Sequence, residues 1–253
     1  MGRPFVVAAN WKMHKSPREA VEFLKEIRPR LEELPPNREV IFFVPAIDLW
    51  VTQEALQGSS LKFGAQNCFY EMKGAFTGEN SPQVLAEIGA QYCLVGHSER
   101  RTIFHETDED TARKVKALHS VGITPMLCVG ETLAEREAGK TNDVIVRQLR
   151  AGLKDRDPSR PVAIAYEPVW AIGTGKVATP EQAGEAHATL RRALAEIGGA
   201  DFAAQTPILY GGSVKPDNAG EIARQEEVDG FLVGGASLEV STFLPLCLVE
   251  GRR

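Results

Sequence analysis

The chain has 253 residues, and 29 basic against 34 acidic side chains give it a formal net charge of −5. Its 43% hydrophobic and 25% charged residues are ordinary for a globular protein and exclude a disordered chain, a disulfide scaffold and collagen. The acidic balance argues against nucleic acid as the main partner, and the length fits a (β/α)₈ barrel of about 250 residues.

Eight short apolar runs recur along the chain and predict β-strands. Most of them are continuous rather than alternating, which is typical of strands that are buried on both faces in a parallel sheet. The predicted strands are Phe5–Ala9, Val40–Val44, Lys62–Ala65, Tyr92–Val95, Thr124–Val129, Val162–Tyr166, Pro207–Tyr210 and Gly230–Val233.

Helical patterns separate the predicted strands, and several of them begin with a recognisable cap. A capping residue followed by Glu or Gln three positions later recurs at Ser16/Glu19, Thr132/Glu135 and Thr179/Gln182. Another helix opens with the acidic segment Thr107–Asp110, whose charges complement the helix dipole. The eightfold alternation of strand and helix predicts the α/β class with a parallel sheet and outer helices.

The strand count uses the whole chain, so we expect one domain over residues 1–253 that closes into a (β/α)₈ TIM barrel of eight parallel strands. An open, doubly wound sheet is the structural alternative. In a barrel, catalytic residues lie at the carboxyl ends of the strands, which directs attention to the residue that follows each run.

The targeting and metal-binding signals are few. No apolar run approaches the roughly 18 residues of a membrane span, and Phe5–Ala9 lacks the context of a signal peptide. We therefore expect a cytoplasmic protein without a membrane partner. The cysteines form no C-x-x-C pair and are expected to be buried free thiols: Cys68, Cys93, Cys128 and Cys247. No two histidines stand at helical i, i+3 or i, i+4 spacing, so no metal site is predicted.

Three titratable side chains follow different strands and should converge at one mouth of the barrel. Lys12 either attracts an anionic substrate or is a solvated surface charge. His97 precedes a short helix whose positive N-terminus favours a neutral imidazole that donates a hydrogen bond, unless backbone groups alone satisfy it. Glu167 stands before Pro168, and burial should raise its pKa into the range of a useful base, unless it forms a structural ion pair.

Glycine pairs follow the last two strands, at Gly211-Gly212 and Gly234-Gly235. Backbone amides at these positions of a barrel often bind phosphate, and Ser213 could add a hydroxyl donor, although tight turns alone would also need glycine. The segment after Glu167 is apolar for a surface loop and predicts a lid that closes over substrate. The lid residues are Pro168, Val169, Trp170, Ala171, Ile172, Gly173, Thr174, Gly175 and Lys176.

This set comprises a cation, a base, a neutral donor, a phosphate cradle and a lid, with no fingerprint of a cofactor. It fits proton abstraction beside the carbonyl group of a small phosphorylated substrate.

Several motifs in this order resemble the triosephosphate isomerase family. They are Asn10-Trp11-Lys12-Met13, Gly96-His97-Ser98-Glu99-Arg100-Arg101, the segment Ala165–Gly175, Tyr210-Gly211-Gly212-Ser213 and Gly234-Gly235-Ala236-Ser237. The resemblance covers the chain from Asn10 to the last helix. It implies isomerisation of dihydroxyacetone phosphate and D-glyceraldehyde 3-phosphate through an enediolate, in glycolysis and gluconeogenesis, without a cofactor.

The resemblance also implies a role for each site residue, and the glutamate base and the neutral histidine are long recognised in this family. Glu167 would be the base, while neutral His97 and Asn10 would stabilise the enediolate oxygen. Lys12 would hold the phosphate dianion together with four further positions: Gly173, Ser213, Gly234 and Gly235. Supporting positions are Glu99, Ser98 and Cys128.

A homodimer is implied as well, because Gln66–Gly78 matches the interdigitating third loop of the family. Gln66 and Asn67 begin this loop, and Thr77 and Gly78 should reach the partner's active site. Two other functions stay open at this point. A different barrel enzyme for another sugar phosphate would need a changed lid or phosphate loop, and a non-enzymatic barrel would lack Glu167, His97 or Lys12.

Overall fold

Eight parallel strands, each paired with its neighbour along the chain, form a sheet that closes because the last strand pairs with the first. The computed structural model describes residues 3–32, 34–35, 37–173 and 176–251. The strands are β1 (Phe5–Asn10), β2 (Arg38–Val44), β3 (Lys62–Ala65), β4 (Tyr92–Val95), β5 (Thr124–Val129), β6 (Ala163–Tyr166), β7 (Ile208–Tyr210) and β8 (Gly230–Val233). The predicted barrel is confirmed, and the pairing of β8 with β1 rules out the open sheet.

The strand boundaries differ from the predicted ones by two residues at most. Strand β2 begins at Arg38, because Phe5 on β1 offers a partner there that the apolar pattern does not show. Strand β7 begins after Pro207, which has no amide hydrogen to donate to the ladder.

Helices follow the strands and carry the predicted caps. Within the described residues they are α1 (Pro17–Ile27), α2 (Leu49–Leu56), α3 (Pro82–Glu87), α4 (Ser98–Ile103), α5 (Asp108–Ser120), α6 (Leu133–Glu137), α7 (Thr141–Leu153), α8 (Pro180–Gly198), α9 (Ala200–Gln205), α10 (Ala219–Ala223) and α11 (Val240–Leu248). Reciprocal capping boxes are present at Ser16, Thr107, Thr132 and Thr179. These caps end the loops and fix where each helix begins.

Both faces of the barrel wall are buried, which explains why the strands read as continuous apolar runs. On β1, Val6 and Ala8 belong to the cluster that fills the barrel, whereas Val7 and Ala9 belong to the layer between the sheet and the helices. All four cysteines are free and buried, as predicted. Among the described residues, no helix combines the length and apolarity required to cross a bilayer.

At Gly230 and Gly130 the neighbouring backbone lies so close that a side chain would not fit. A Cβ atom on Gly230 would lie 1.8 Å from the carbonyl oxygen of Val6, at the seam between β8 and β1. A Cβ atom on Gly130 would lie 1.7 Å from the carbonyl oxygen of Glu167. Glycine at these positions therefore permits the closure of the sheet and the placement of Glu167 beside the end of β5.

Candidate active site

A cavity of about 670 Å³ opens at the carboxyl ends of the strands. Its lining includes the predicted catalytic residues Asn10, Lys12, His97 and Glu167. The predicted substrate-binding residues Gly173, Ser213, Gly234 and Gly235 line the same cavity. The sequence prediction that these positions converge at one mouth agrees with this geometry.

Glu167 lies directly after β6, and its carboxylate is buried and held through both oxygens. The Nε2 atom of His97 lies 2.8 Å from its Oε1 atom. The backbone amide of Ser98 donates to its Oε2 atom over 2.9 Å. The structure thus brings the predicted residues His97 and Ser98 to the carboxylate of Glu167, and Ser98 contacts it through its backbone amide rather than its side chain.

The expected rise in the pKa of Glu167 is wrong for this arrangement. Burial does raise the pKa of the carboxyl group. The imidazole of His97, the amide of Ser98 and the more distant ammonium of Lys12 outweigh that effect, so the net pKa lies below its ordinary value. The carboxylate is therefore well stabilised while it rests on His97.

The bonding of His97 identifies the nitrogen that carries the proton. The backbone amide of Glu99 donates to the Nδ1 atom over 3.3 Å, and an N–H group facing it requires that Nδ1 accept. The proton of a neutral ring then lies on Nε2, which faces Glu167. Burial lowers the pKa of His97, but the carboxylates of Glu167 and Glu99 outweigh it and leave the pKa raised. That rise depends on the present position of Glu167.

Lys12 follows β1 in a left-handed backbone conformation, with φ +54°. Its amide donates to the Oδ1 atom of Asn10 over 3.0 Å, and its carbonyl accepts from the side chain of Gln66 over 2.9 Å. Its ammonium donates to Glu99 over 2.5 Å. The side chain lines the cavity, and its ion pair with Glu99 holds the ammonium at the cavity wall.

The turns after β7 and β8 form the other wall of the cavity. A Cβ atom on Gly212 would lie 2.2 Å from the hydroxyl oxygen of Tyr210, so this turn needs glycine for space. In the turn after β8, the hydroxyl of Ser237 donates to the carbonyl of Gly234 over 2.7 Å. The amide of Leu238 donates to the carbonyl of Gly235 over 3.1 Å. The carbonyl oxygens of both glycines are thus engaged within the turn.

The predicted lid begins with a 3-10 turn over Val169–Ala171, and Thr174 and Gly175 lie outside the described residues. Trp170 is half-buried rather than exposed. Its indole donates to Glu131 over 2.8 Å, and the guanidinium of Arg136 lies 4.5 Å from the ring centroid. Glu131 is not among the lid residues predicted from the sequence, although an acidic residue two positions after a strand was a usable signal.

Cys128 lies inside the barrel, where burial raises the pKa of its thiol and the nearby carboxylate of Glu167 adds to that rise. The thiol is therefore protonated at neutral pH and is a packing neighbour of the site.

The loop that begins with Gln66 and Asn67 projects from the same end of the barrel. The carbonyl of Asn67 accepts from the side chain of Asn80 over 3.3 Å, which closes the base of the loop. Thr77 and Gly78 near its far end are exposed. A second cavity of about 430 Å³ lies beside the loop and is lined in part by Lys12, His97 and Gly78.

Comparisons with known proteins give consistent results. The family model described as triosephosphate isomerase matches residues 5–249. The protein named triosephosphate isomerase from Bdellovibrio bacteriovorus is 52% identical over 244 residues, which cover 96% of this chain and 99% of that protein. Proteins of the same name from Lactobacillus gasseri and Caldanaerobacter subterraneus are each 48% identical. They cover 95% and 96% of this chain and 96% and 98% of their own lengths.

Proposed function

We propose that Glu167 is the base of the reaction that this chain catalyses. The chain belongs to the triosephosphate isomerase family and interconverts dihydroxyacetone phosphate and D-glyceraldehyde 3-phosphate, a step of glycolysis. The observation that carries the proposal is the contact between Glu167 and His97 in the cavity. In this contact, the carboxylate of Glu167, which can accept a proton, lies beside the N–H group of His97, which can donate to a substrate oxygen.

Glu167 must leave His97 to reach a substrate carbon. The carboxylate then loses the imidazole and the Ser98 amide that lower its pKa, while the burial that raises the pKa remains. Its basicity therefore increases as it moves toward the substrate. The pKa of His97 falls in the same step, because the carboxylate that raises it moves away.

Neutral His97 donates from Nε2 to the oxygen of the substrate carbonyl. The Glu99 amide on Nδ1 supports this tautomer, and it opposes protonation of the ring during the reaction. The side chain of Asn10 lines the same cavity and provides the second donor to the enediolate oxygen. A fixed pair of donors stabilises negative charge that develops on this oxygen.

The phosphate group binds at the opposite wall of the cavity. Backbone amides of Gly173, Gly234 and Gly235, together with Ser213, surround it, and the ammonium of Lys12 provides the positive charge. The engaged carbonyl oxygens in the turn after β8 leave its amide edge for the anion. Closure of the lid over this end excludes water from the enediolate.

The protein acts as a homodimer in the cytoplasm, built from a single barrel domain. Large apolar side chains are exposed on the face that carries the projecting loop, including Met13, Ile103 and Phe104 at 96%, 64% and 63%. Such a patch is typical of an interface. The cavity beside Lys12 and His97 offers space for a partner's loop. The free, buried cysteines suit a reducing compartment.

A coupled assay of isomerisation tests the assignment of the base. We expect Glu167→Ala to lower kcat at least about a hundredfold, because removal of a general base has effects of this size. Glu185→Gln, which alters an exposed carboxylate on α8, is the matched control and should leave kcat unchanged. Full activity in Glu167→Ala would refute the assignment.

A further inference from the structure

Lys15 adopts a backbone conformation that lysine rarely occupies. Its φ is +71°, which lies in the left-handed region, where every residue other than glycine is strained. Its ammonium nevertheless has a fixed place. It donates to the carbonyl of Leu238 over 2.8 Å and lies 4.6 Å from the ring centroid of Phe23. Strain of this kind persists where the surrounding contacts hold the residue.

The carbonyl of Leu238 belongs to the turn that follows β8. The preceding carbonyls of this turn are also engaged, since Thr242 donates to Ala236 over 2.8 Å and Ser237 donates to Gly234 over 2.7 Å. The ammonium of Lys15 is the contact that reaches Leu238 from the loop between β1 and α1. It therefore links two segments that are 223 positions apart in sequence.

The same two segments meet a second time inside the cavity. A Cβ atom on Gly234 would lie 3.4 Å from the Cε atom of Lys12. Of two lysines in one short loop, Lys12 thus lies beside the beginning of the turn, and Lys15 donates a hydrogen bond to its end. Both have a left-handed backbone, with φ +54° and +71°. Burial lowers the pKa of Lys15, while the carboxylates of Glu239 and Glu19 oppose that effect and favour the charged ammonium.

We propose that Lys15 is a positioning residue for the substrate phosphate, holding the turn Gly234–Leu238 in register with the loop that carries Lys12. This rests on the phosphate site assigned above. Lys15 does not touch the substrate, and it acts through the amides of Gly234 and Gly235. Small displacements of binding groups weaken binding strongly, so a link between the two walls has a direct effect on phosphate affinity.

Three substitutions separate this role from a general contribution to stability. Lys15→Met removes the ammonium and keeps the strained backbone, whereas Lys15→Gly removes both the ammonium and the strain. Lys15→Arg keeps a cationic donor. Asn37→Gly relieves a left-handed backbone with φ +63° before β2, at the other end of the barrel, and serves as the matched control.

The readouts are the inhibition constant of inorganic phosphate and the turnover of glyceraldehyde, which lacks the phosphate group. We expect Lys15→Met and Lys15→Gly to weaken phosphate inhibition equally, by about tenfold, the effect of one lost charge-assisted hydrogen bond. The KM for glyceraldehyde 3-phosphate should rise with it, and turnover of glyceraldehyde should stay unchanged. Lys15→Arg should restore inhibition to within about twofold, and Asn37→Gly should change none of these values.

Each remaining outcome overturns the proposal in a distinct way. Unchanged phosphate inhibition in Lys15→Met, with normal inhibition of the unsubstituted enzyme, would refute the role of Lys15 alone. If the loss of phosphate inhibition among the variants correlates with a lowered melting temperature, and not with the absence of the Lys15 ammonium, Lys15 has a structural role only. If inorganic phosphate fails to compete with substrate in the unsubstituted enzyme, the phosphate site itself is refuted, and the role of Lys15 with it.

Discussion

The Nε2 atom of His97 lies 2.8 Å from the Oε1 atom of Glu167, and each residue shifts the pKa of the other. The imidazole opposes the effect of burial on the carboxyl group, and the carboxylate opposes the effect of burial on the imidazole. The contact therefore stabilises the ionised carboxylate of Glu167 in the structure described here.

This relationship predicts the effect of His97→Gln on the pH profile. The substitution removes the imidazole that lowers the pKa of Glu167, while burial still raises it, so the pKa should increase. Because the base must be unprotonated, kcat/KM falls as the pH drops through this pKa. We expect the acid limb of kcat/KM to move to higher pH than in the unsubstituted enzyme. The exposed His105→Asn is the control, and an acid limb that does not move would refute the coupling.

The lid prediction concerns the fate of the enediolate. Replacement of residues 172–175 by a short Gly-Ser linker should let water reach the intermediate and weaken the grip on the phosphate group. We expect a larger share of turnovers to end in elimination of inorganic phosphate. The ratio of released inorganic phosphate to isomerised product measures the share of turnovers that end in elimination. The same linker at residues 157–160 is the control, and an unchanged ratio would show that the lid does not protect the intermediate.

The dimer prediction is a matter of mass and activity. Sedimentation at micromolar concentration should give about twice 27.6 kDa. The double variant Ile103→Asp, Phe104→Asp places two charges on the exposed apolar face, and it should sediment as a monomer with reduced activity. Leu248→Asp changes an exposed leucine at the opposite end of the barrel and should stay dimeric. A fully active monomer would contradict the proposed interface.

His187 predicts how the stability of the protein depends on pH. Burial lowers the pKa of His187 to about 4, and its Nδ1 atom lies 3.0 Å from the carbonyl of Glu227, to which the neutral ring donates. Between pH 6.5 and 4 the unfolded chain binds a proton at this residue and the folded chain does not. Stability should therefore fall as the pH falls through this window, by up to about 3 kcal/mol.

Urea unfolding between pH 6.5 and 4 tests whether His187 causes this loss of stability. His187→Gln should reduce the slope of the free energy of unfolding against pH, whatever its effect at pH 7. His105→Asn, at an exposed position, should keep the slope of the unsubstituted protein. An unchanged slope in His187→Gln would assign the acid sensitivity to other groups.

Most of the fold could be predicted from local patterns in the sequence. A capping box such as Thr132 with Glu135 needs only residues three apart, and the structure contains it as predicted. The buried strands were recognisable because both sides of a run such as Thr124–Val129 must be apolar. The closure of the sheet was favoured by the strand count, and its proof required the pairing of β8 with β1.

The positions that converge at the mouth were also predictable, but their electrostatics were not. The pKa of Glu167 depends on His97, which follows a different strand and whose distance from the carboxylate no pattern reveals. The contact between Lys12 and Glu99 spans 87 positions. The left-handed backbone of Lys15 gave no signal either, because lysine is a residue that this conformation disfavours.

The left-handed conformation of Lys12 has a consequence for selecting hardier variants of this enzyme. Glycine at position 12 would avoid a backbone penalty of roughly 1 kcal/mol, so a search for heat resistance alone would favour it. Such a search would discard the side chain that supplies positive charge to the cavity. Thermal stability and catalytic activity therefore favour different residues at position 12, and a selection must measure turnover to retain Lys12.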